Sequence, residues 1–321
     1  MSAFRPAWWC RNRHAQTIWG PFFRRARVPM RRERVLTDDG DFLDLDWLDA
    51  PAAAGAPLLL LLHGLEGSSR SHYVTGLLAG AAARGWRGVA LNFRSCSGEQ
   101  NRLPRFYHSG DTADLDAVVR RLIAREPDVR LGFVGVSIGG NALLKWLGEL
   151  KTDAPPAVGG AVAISVPFDL AACAHVLDRG LAKAVYTANF MRSMRRKVVE
   201  KARTYPGFVD VAAARRARTF AAYDAAVTAP LFGFADARDY WQRASSRPYL
   251  AAIARPTLLL SALDDPFVPA DSLPKPAHLS SQVRLEVTPH GGHVGFVDGR
   301  WPWQASSWAE RRALDFLGGV I

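Results

Sequence analysis

The stretch of sequence that decides the fold is Gly135-Val136-Ser137-Ile138-Gly139-Gly140. It follows an apolar run, Leu131 to Val134, and precedes a segment with helical spacing, Gly140 to Leu150. A strand, a tight turn of small residues and the start of a helix form the context of a nucleophile elbow, in which the turn lifts a serine hydroxyl above the sheet. We therefore predict that Ser137 is a nucleophile and that helix N–H groups beside it face developing negative charge.

Other short apolar runs resemble the strand before this turn. We predict buried parallel strands at Leu58–Leu62, Gly88–Phe93, Leu131–Val136, Val158–Ile164, Pro256–Ser261 and Val283–Val287. Phe42–Leu48 alternates apolar residues with aspartate, which predicts a half-exposed strand near a sheet edge. Helical spacing occurs at Tyr73–Ala83, Thr112–Ala124, Gly140–Leu150 and Trp303–Leu317. This alternation predicts an α/β fold with a mostly parallel central sheet flanked by helices.

The alternation is interrupted between about residues 167 and 248. This stretch has a helical composition, no convincing strand, and fourteen Lys or Arg against seven acids within residues 167–247. We predict an inserted helical cap within a domain that spans residues 35–321. Residues 1–34, with nine arginines against Glu33, are predicted to form a basic arm packed on that body. The cap residues expected to line a substrate pocket are Phe168, Leu170, Val176, Leu181, Val185, Tyr186, Phe190, Phe232 and Phe234.

A serine nucleophile needs a general base, because its hydroxyl is barely nucleophilic at neutral pH. The loop Thr288–Phe296 follows the last predicted strand and contains two histidines. We predict His293 as the base, since the glycines before it allow a tight loop and Val294 can pack it down. His290 is the alternative.

The base in turn needs a carboxylate that fixes its tautomer and stabilises the imidazolium. Two neighbouring acids, Asp264 and Asp265, lie just past the end of the strand Pro256–Ser261. We favour Asp265, because an acid followed by Val268-Pro269 starts a loop that these two residues anchor. Asp264 remains the alternative.

An oxyanion hole is the remaining part. His63-Gly64-Leu65-Glu66-Gly67 directly follows the strand Leu58–Leu62, where an early loop donates one backbone N–H. The predicted donors are the N–H groups of Leu65 and of Ile138, the residue after the nucleophile. A removed donor of this kind typically lowers kcat by about 10²- to 10³-fold.

These motifs carry a family resemblance that spans nearly the whole chain. The order Ser137, Asp265, His293 is that of the α/β-hydrolases, and the chain resembles more narrowly the YheT-like hydrolases, bacterial relatives of the animal abhydrolase-domain 1/2/3 proteins. The matching segments are residues 11–18, 63–67, 92–98, 107–110, the serine elbow, 262–267 and 291–296.

The resemblance implies a serine hydrolase that cleaves carboxylic esters, with medium-chain acyl or lipid esters favoured, through an acyl-enzyme on Ser137. An acyltransferase or thioesterase on the same triad, or a non-catalytic acyl-ligand binding protein, is the alternative. No cofactor and no metal are expected. The expected partner is a small-molecule or lipid ester.

Composition and charge exclude several classes. The chain is 49% hydrophobic and 22% charged, which is typical of a globular protein. Apolar runs such as Leu58–Leu62 are too short for a membrane helix, and the N-terminus lacks a secretory signal, so we expect a cytoplasmic protein. Three cysteines without CxxC spacing predict neither disulfides nor zinc.

The net charge of +11 is concentrated in the arm and the cap. Basic segments around an apolar pocket lead to the hypothesis of peripheral contact with an anionic membrane, at its inner surface. No nucleic-acid binding module is recognisable, so no nucleic-acid partner is expected.

Overall fold

In a computed structural model, which describes residues 4–24 and 26–321, the apolar runs form one eight-stranded sheet. The strands are β1 (Met30–Leu36), β2 (Phe42–Leu48), β3 (Leu58–Leu62), β4 (Arg87–Asn92), β5 (Leu131–Val136), β6 (Val158–Ile164), β7 (Thr257–Ala262) and β8 (Val283–Thr288). Their order is β1-β2-β4-β3-β5-β6-β7-β8. Strands β3 to β8 run parallel to one another, while β2 is antiparallel to both of its neighbours, β1 and β4. The predicted α/β fold with a mostly parallel sheet is confirmed.

Helices cover both faces of the sheet. The helices outside the inserted segment are α1 (Arg13–Phe23), α2 (His72–Ala82), α3 (Ala113–Arg125), α4 (Ile138–Leu150) and α12 (Trp308–Leu317). The leucines of β3 alternate between the two cores: Leu60 packs with residues of α3 and α4, and Leu61 packs with residues of α2 and α12. A strand buried on both faces needs this unbroken apolar run. The last helix begins at Trp308, five residues later than the predicted segment.

The sheet edges differ from the sequence-based prediction. The strand β1 was not predicted, and the division at residue 34 falls inside it. The prediction of a half-exposed β2 was wrong: Asp44 and Asp46 are buried, because Arg34 and Arg32 of β1 bind them in bidentate pairs at 2.8 to 2.9 Å. At the opposite edge, β8 is only partly buried, with Arg284 and Val287 exposed, although its apolar residues predicted burial on both faces.

The segment before β1 packs on the body through α1. Gln16 is fully buried, and its side chain donates to the carbonyl oxygens of Cys10 and Val297 and accepts from the N–H of Val297. Arg24 forms a bidentate pair with Glu310 of α12, at 2.5 and 2.7 Å. Residues 1–3 and Arg25 of the predicted arm lie outside the described residues.

Residues 165–256, between β6 and β7, form the inserted cap, and this fully described stretch contains no strand. Its helices are α5 (Leu170–Leu177), α6 (Gly180–Ala182), α7 (Ala188–Thr204), α8 (Val211–Arg216), α9 (Phe220–Tyr223), α10 (Ala229–Phe232) and α11 (Ala237–Ala244). Two π-helical turns, Lys183–Thr187 and Asp224–Thr228, join α6 to α7 and α9 to α10. Across residues 4–24 and 26–321, none of the helices has the length and apolar character needed to cross a membrane.

Candidate active site

Ser137 lies at the junction of β5 and α4 in a strained backbone conformation. Its φ of 54° and ψ of −123° are rare for a residue with a side chain, and this strain is characteristic of a nucleophile elbow. A Cβ on Gly135 would lie 2.6 Å from the carbonyl oxygen of Gly139, and one on Gly139 would lie 2.5 Å from that of His63. The two glycines therefore allow α4 to approach the ends of β5 and β3 closely enough to form the turn.

The structure brings Ser137, His293 and Asp265 into one hydrogen-bonded chain. The Nε2 of His293 lies 3.0 Å from the Oγ of Ser137, and its Nδ1 lies 2.9 Å from Oδ2 of Asp265. The Oδ1 of Asp265 accepts from the N–H groups of Phe267 and Val268, at 2.7 and 3.2 Å. The ring of Phe267 stacks on that of His293 with centroids 4.1 Å apart. The geometry is that of a nucleophile, a base and an orienting acid.

The two alternative residues lie outside this chain. His290 is exposed, and its Nδ1 is 3.4 Å from Oδ2 of Asp264. The Oδ1 of Asp264 accepts from the N–H of Gly292 at 2.9 Å. Asp264 thus braces the loop that carries His293, while its neighbour Asp265 contacts the imidazole.

The N-terminal helix holds the histidine loop in place, a role that the sequence did not reveal. The N–H of His293 donates to the hydroxyl of Thr17 at 3.0 Å. A Cβ on Gly292 would lie 2.5 Å from the carbonyl oxygen of Arg13, and one on Gly295 would lie 2.3 Å from that of Gln16. Glycine at both positions therefore lets α1 pack directly against the loop.

The loop after β3 lies beside the serine. A Cβ on Gly64 would lie 3.3 Å from that of Ser137, and the N–H of Gly64 donates to the Tyr73 hydroxyl at 2.8 Å. Leu65 and Ile138 line the same cavity as Ser137. Within residues 4–24 and 26–321, the structure records no acceptor for the N–H of Leu65 or Ile138. Both N–H groups therefore stay candidates for the predicted oxyanion donors.

Glu66 joins this loop to the cap, and sequence reasoning missed its role. Its φ is 54°, and its carboxylate accepts from Lys197 Nζ at 2.8 Å, from the Ser193 hydroxyl and from the Tyr107 hydroxyl at 3.2 Å. Its own N–H donates to the Tyr107 oxygen at 2.8 Å. Ser193 and Lys197 are one turn apart on α7, so a single helix face of the cap grips the loop. The only signal in the sequence is a charged residue within a glycine-containing turn.

A cavity of about 1020 Å³ extends from Ser137 between the body and the cap. Five of the cap residues predicted to line it do so, namely Leu170, Val185, Tyr186, Phe190 and Phe232. Phe168 instead packs in the main core, and Leu181 is exposed. Asp224 also lines the cavity, and burial raises its pKa to about 6. The walls are otherwise mainly apolar and aromatic, as is typical of a site for a largely apolar ligand.

The described residues provide no group of three or more His, Cys, Asp or Glu side chains placed to hold a metal ion. All three cysteines are free and buried. Burial raises the pKa of Cys10 and of Cys96 to about 11, which disfavours their thiolates at neutral pH. By contrast, the hydroxyl of Ser137 has an imidazole nitrogen 3.0 Å away, that of His293.

Comparison with known proteins agrees with this geometry. Residues 57–300 match the family model for the alpha/beta hydrolase fold. The chain belongs to the α/β-hydrolase family. Among its relatives is the Escherichia coli (strain K12) protein YheT, which carries the provisional name of an esterase. It is 40% identical over 310 residues that cover 95% of this chain and 90% of that protein.

Two further comparisons place the hydrolase in a wider group. Human phospholipase ABHD3 is 30% identical over 326 residues, which cover 99% of this chain and 79% of that protein. The solved structure of the Pyrococcus furiosus esterase PF2001 has a TM-score of 0.58 at 18% identity, with 91% of this chain and 92% of that chain covered. The likeness to the solved structure is one of fold, whereas the sequence relatives assign the chain to the YheT-like branch of the family.

Proposed function

We propose that the protein is a serine hydrolase of carboxylic esters, with medium-chain acyl or lipid esters as the favoured substrates. The observation that carries the proposal is the hydrogen-bonded chain from Ser137 Oγ through His293 to Asp265, at 3.0 and 2.9 Å, at the end of an apolar cavity. A cavity with mainly apolar and aromatic walls suits an acyl chain better than a peptide or a sugar. The sequence identity of 40% to a protein named as an esterase and of 30% to a protein named as a phospholipase supports the same chemistry.

In the proposed reaction, the Oγ of Ser137 attacks the ester carbonyl carbon while Nε2 of His293 takes the hydroxyl proton. The carbonyl oxygen gains the negative charge and accepts from the N–H groups of Leu65 and Ile138. Collapse of this intermediate expels the alcohol, which receives the proton from His293, and leaves the acyl group on Ser137. Asp265 keeps the proton on Nδ1 of the imidazole throughout.

Water then attacks the acyl-enzyme, with His293 again taking one proton, and the acid product leaves as Ser137 regains its hydrogen. A thiol or alcohol acceptor would use the same acyl-enzyme. Thioester cleavage and acyl transfer are therefore alternative outcomes of one half-reaction.

The test is labelling with a fluorophosphonate probe, which reacts with an activated serine, followed by hydrolysis of p-nitrophenyl esters from acetate to palmitate. We expect the wild type to label and Ser137→Ala to lose both labelling and turnover. Rates that peak at medium or long acyl chains would support the substrate class. A folded wild-type protein that neither labels nor turns over any ester would contradict the proposal and favour an acyl-ligand binding role.

A further inference from the structure

The mouth of the cavity exposes apolar side chains from two separate elements. Ile18 and Phe22 of α1 and Val185 of the cap all line the cavity, yet they are 39%, 65% and 48% exposed. The hydroxyl of Tyr186 lies 2.9 Å from Nδ1 of His14, so α1 and this part of the cap are in contact beside the opening. The apolar side chains therefore form the rim of the entrance.

The apolar rim continues beyond the cavity. Leu181, four residues before Val185, is 61% exposed. Together with Ile18, Phe22 and Val185, it makes up four of the eleven large apolar side chains that are exposed in the described chain. A concentration of this kind marks a surface that meets another apolar phase rather than ordinary solvent-facing surface.

Arginines surround the same opening. Arg70, Arg192 and Arg196 are exposed and line the cavity. Arg192 and Arg196 also line an adjoining depression of about 340 Å³, whose rim adds Arg195, Arg203 and Arg215 against the single acid Glu200. The pair between Arg196 and Glu200 is long, at 3.8 Å, and both side chains are well exposed. The rim thus carries a strong excess of positive charge next to its apolar residues.

We propose that this rim docks the protein on an anionic lipid bilayer. The side chains of Phe22 and Leu181 enter the boundary between headgroups and acyl chains, and the arginines of α7 contact lipid phosphates, because the planar guanidinium group binds phosphate oxygens well. A second copy of the chain fits this face poorly, because a two-fold contact would bring the same arginines together.

The orientation gives docking a direct consequence. Because the rim encircles the entrance, an acyl chain passes from the bilayer into the apolar cavity without crossing water. The docking proposal extends the proposed function, yet it concerns binding alone and can be tested without turnover.

The test is co-sedimentation of the full chain, as Ser137→Ala to prevent hydrolysis, with sucrose-loaded vesicles. One set contains phosphatidylcholine alone and the other an equal mixture with phosphatidylglycerol. We expect binding to the mixed vesicles that high salt reverses, and at least about tenfold weaker binding to the neutral ones, since each basic residue at an anionic surface contributes roughly 1 kcal/mol. The proposal would be overturned if the protein bound the two kinds of vesicle equally well, or if it bound neither kind.

Matched variants locate the contact. Arg203→Gln combined with Arg215→Gln is expected to weaken binding to mixed vesicles by about 30-fold, whereas Arg120→Gln, at an exposed position of α3, is expected to leave it unchanged. Phe22→Ser with Leu181→Ser is expected to weaken binding to the mixed vesicles at low salt by about tenfold, because both side chains are proposed to enter the lipid interface. Leu36→Ser serves as its control, since Leu36 is 66% exposed on β1, away from the cavity.

This assignment of the surface would be overturned if either control lost binding. It would also be overturned if both test variants bound as well as the parent protein. Thermal melting of every variant shows whether it remains folded. If the wild-type protein hydrolyses esters but does not bind vesicles, only the docking proposal is refuted. If it binds vesicles but hydrolyses no ester, only the proposed reaction is refuted.

Discussion

Lys197 of the cap and Glu66 of the loop after β3 form an ion pair of 2.8 Å in which the two side chains are only 15% and 9% exposed. Glu66 directly follows Leu65, whose N–H is one of the two proposed oxyanion donors. The cap therefore contributes to the shape of the proposed reaction centre as well as to the walls of the cavity.

Lys197→Met should impair both folding and catalysis. Loss of one partner leaves the Glu66 carboxylate buried without its cation, and breaking a buried pair in this way lowers the free energy of unfolding by about 3–5 kcal/mol. The loop also loses its clamp, so we expect kcat for p-nitrophenyl acetate to fall about tenfold, a fraction of the 10²- to 10³-fold loss on removing an oxyanion donor. Urea unfolding and steady-state kinetics measure the two effects.

The control is Arg120→Met, on α3 and outside the cavity lining. The pair of Arg120 with Asp116 is exposed, and exposed pairs contribute about 1 kcal/mol or less. The double variant Glu66→Gln with Lys197→Met should recover part of the lost stability, because no unpaired charge remains. An unchanged kcat in Lys197→Met would show that the pair has a purely structural role.

Substitution of the two neighbouring acids, Asp264 and Asp265, is expected to change kcat by very different amounts. Asp265→Asn should lower kcat by about 10⁴-fold, because an amide beside His293 Nδ1 favours the wrong tautomer of the imidazole. Asp264→Asn keeps an oxygen for the Gly292 N–H and should lower kcat by less than about tenfold. Ester hydrolysis by the two purified variants decides between them, and a larger effect for Asp264→Asn would reverse the proposed assignment.

Gln16→Leu should loosen the histidine loop from a distance. The Val297 N–H and the Cys10 carbonyl oxygen lose their buried partner, and each unsatisfied group lowers stability by about 1–3 kcal/mol. We expect a lower melting temperature together with a reduced kcat, since α1 braces the loop that bears His293. Gln282→Leu, at an exposed position, is the matched control, and a lower melting temperature with unchanged kcat would show that α1 does not act on the site.

Acid should destabilise the fold through buried histidines. Burial lowers the pKa of His63 to about 4 and the pKa values of His72 and His108 to about 3. Above their unfolded pKa of about 6.5 these groups are neutral in both states. As pH falls below that value, the unfolded chain binds protons that the folded chain does not, so stability decreases by up to about 1.4 kcal/mol per pH unit for each histidine.

Asp224 has the opposite effect on stability. Burial raises its pKa to about 6, so between about pH 6 and 4 the folded state binds a proton that the unfolded state does not. This uptake offsets the loss of stability caused by about one of the three histidines. Urea unfolding over this range measures the net slope. His108→Gln should reduce the slope by about one proton, whereas Gln282→Leu, which removes no titratable group, should leave it unchanged. An equal slope in wild type and His108→Gln would contradict this account.

Much of the fold and the main site residues are readable from the sequence because their signals are local. A strand such as Leu58–Leu62 is marked by its own apolar run. Ser137, Asp265 and His293 each lie in a short loop directly after a strand, and the carboxyl ends of parallel strands meet at one edge of the sheet. Their proximity follows from topology, so no long-range pairing has to be guessed.

The features that escaped prediction depend on partners distant in sequence. The strand β1, Met-Arg-Arg-Glu-Arg-Val-Leu, has no apolar alternation, because its arginines neutralise Asp44 and Asp46 across the strand pair. Likewise, Glu66 meets Lys197 across 131 residues of chain. Charged pairs leave no periodic pattern, so only the folded structure reveals that these groups are buried.

The insertion point of the cap has an evolutionary consequence. The cap leaves after β6 and returns at β7, and these two strands are direct neighbours that pair from Ala161–Thr257 to Ile164–Leu260. Helices can therefore be lengthened, lost or exchanged in this segment without altering the register of any strand. The cap can therefore change, and with it the lining of the cavity, while Ser137, Asp265 and His293 keep their positions. A replacement cap would need residues equivalent to Ser193 and Lys197 to bind Glu66.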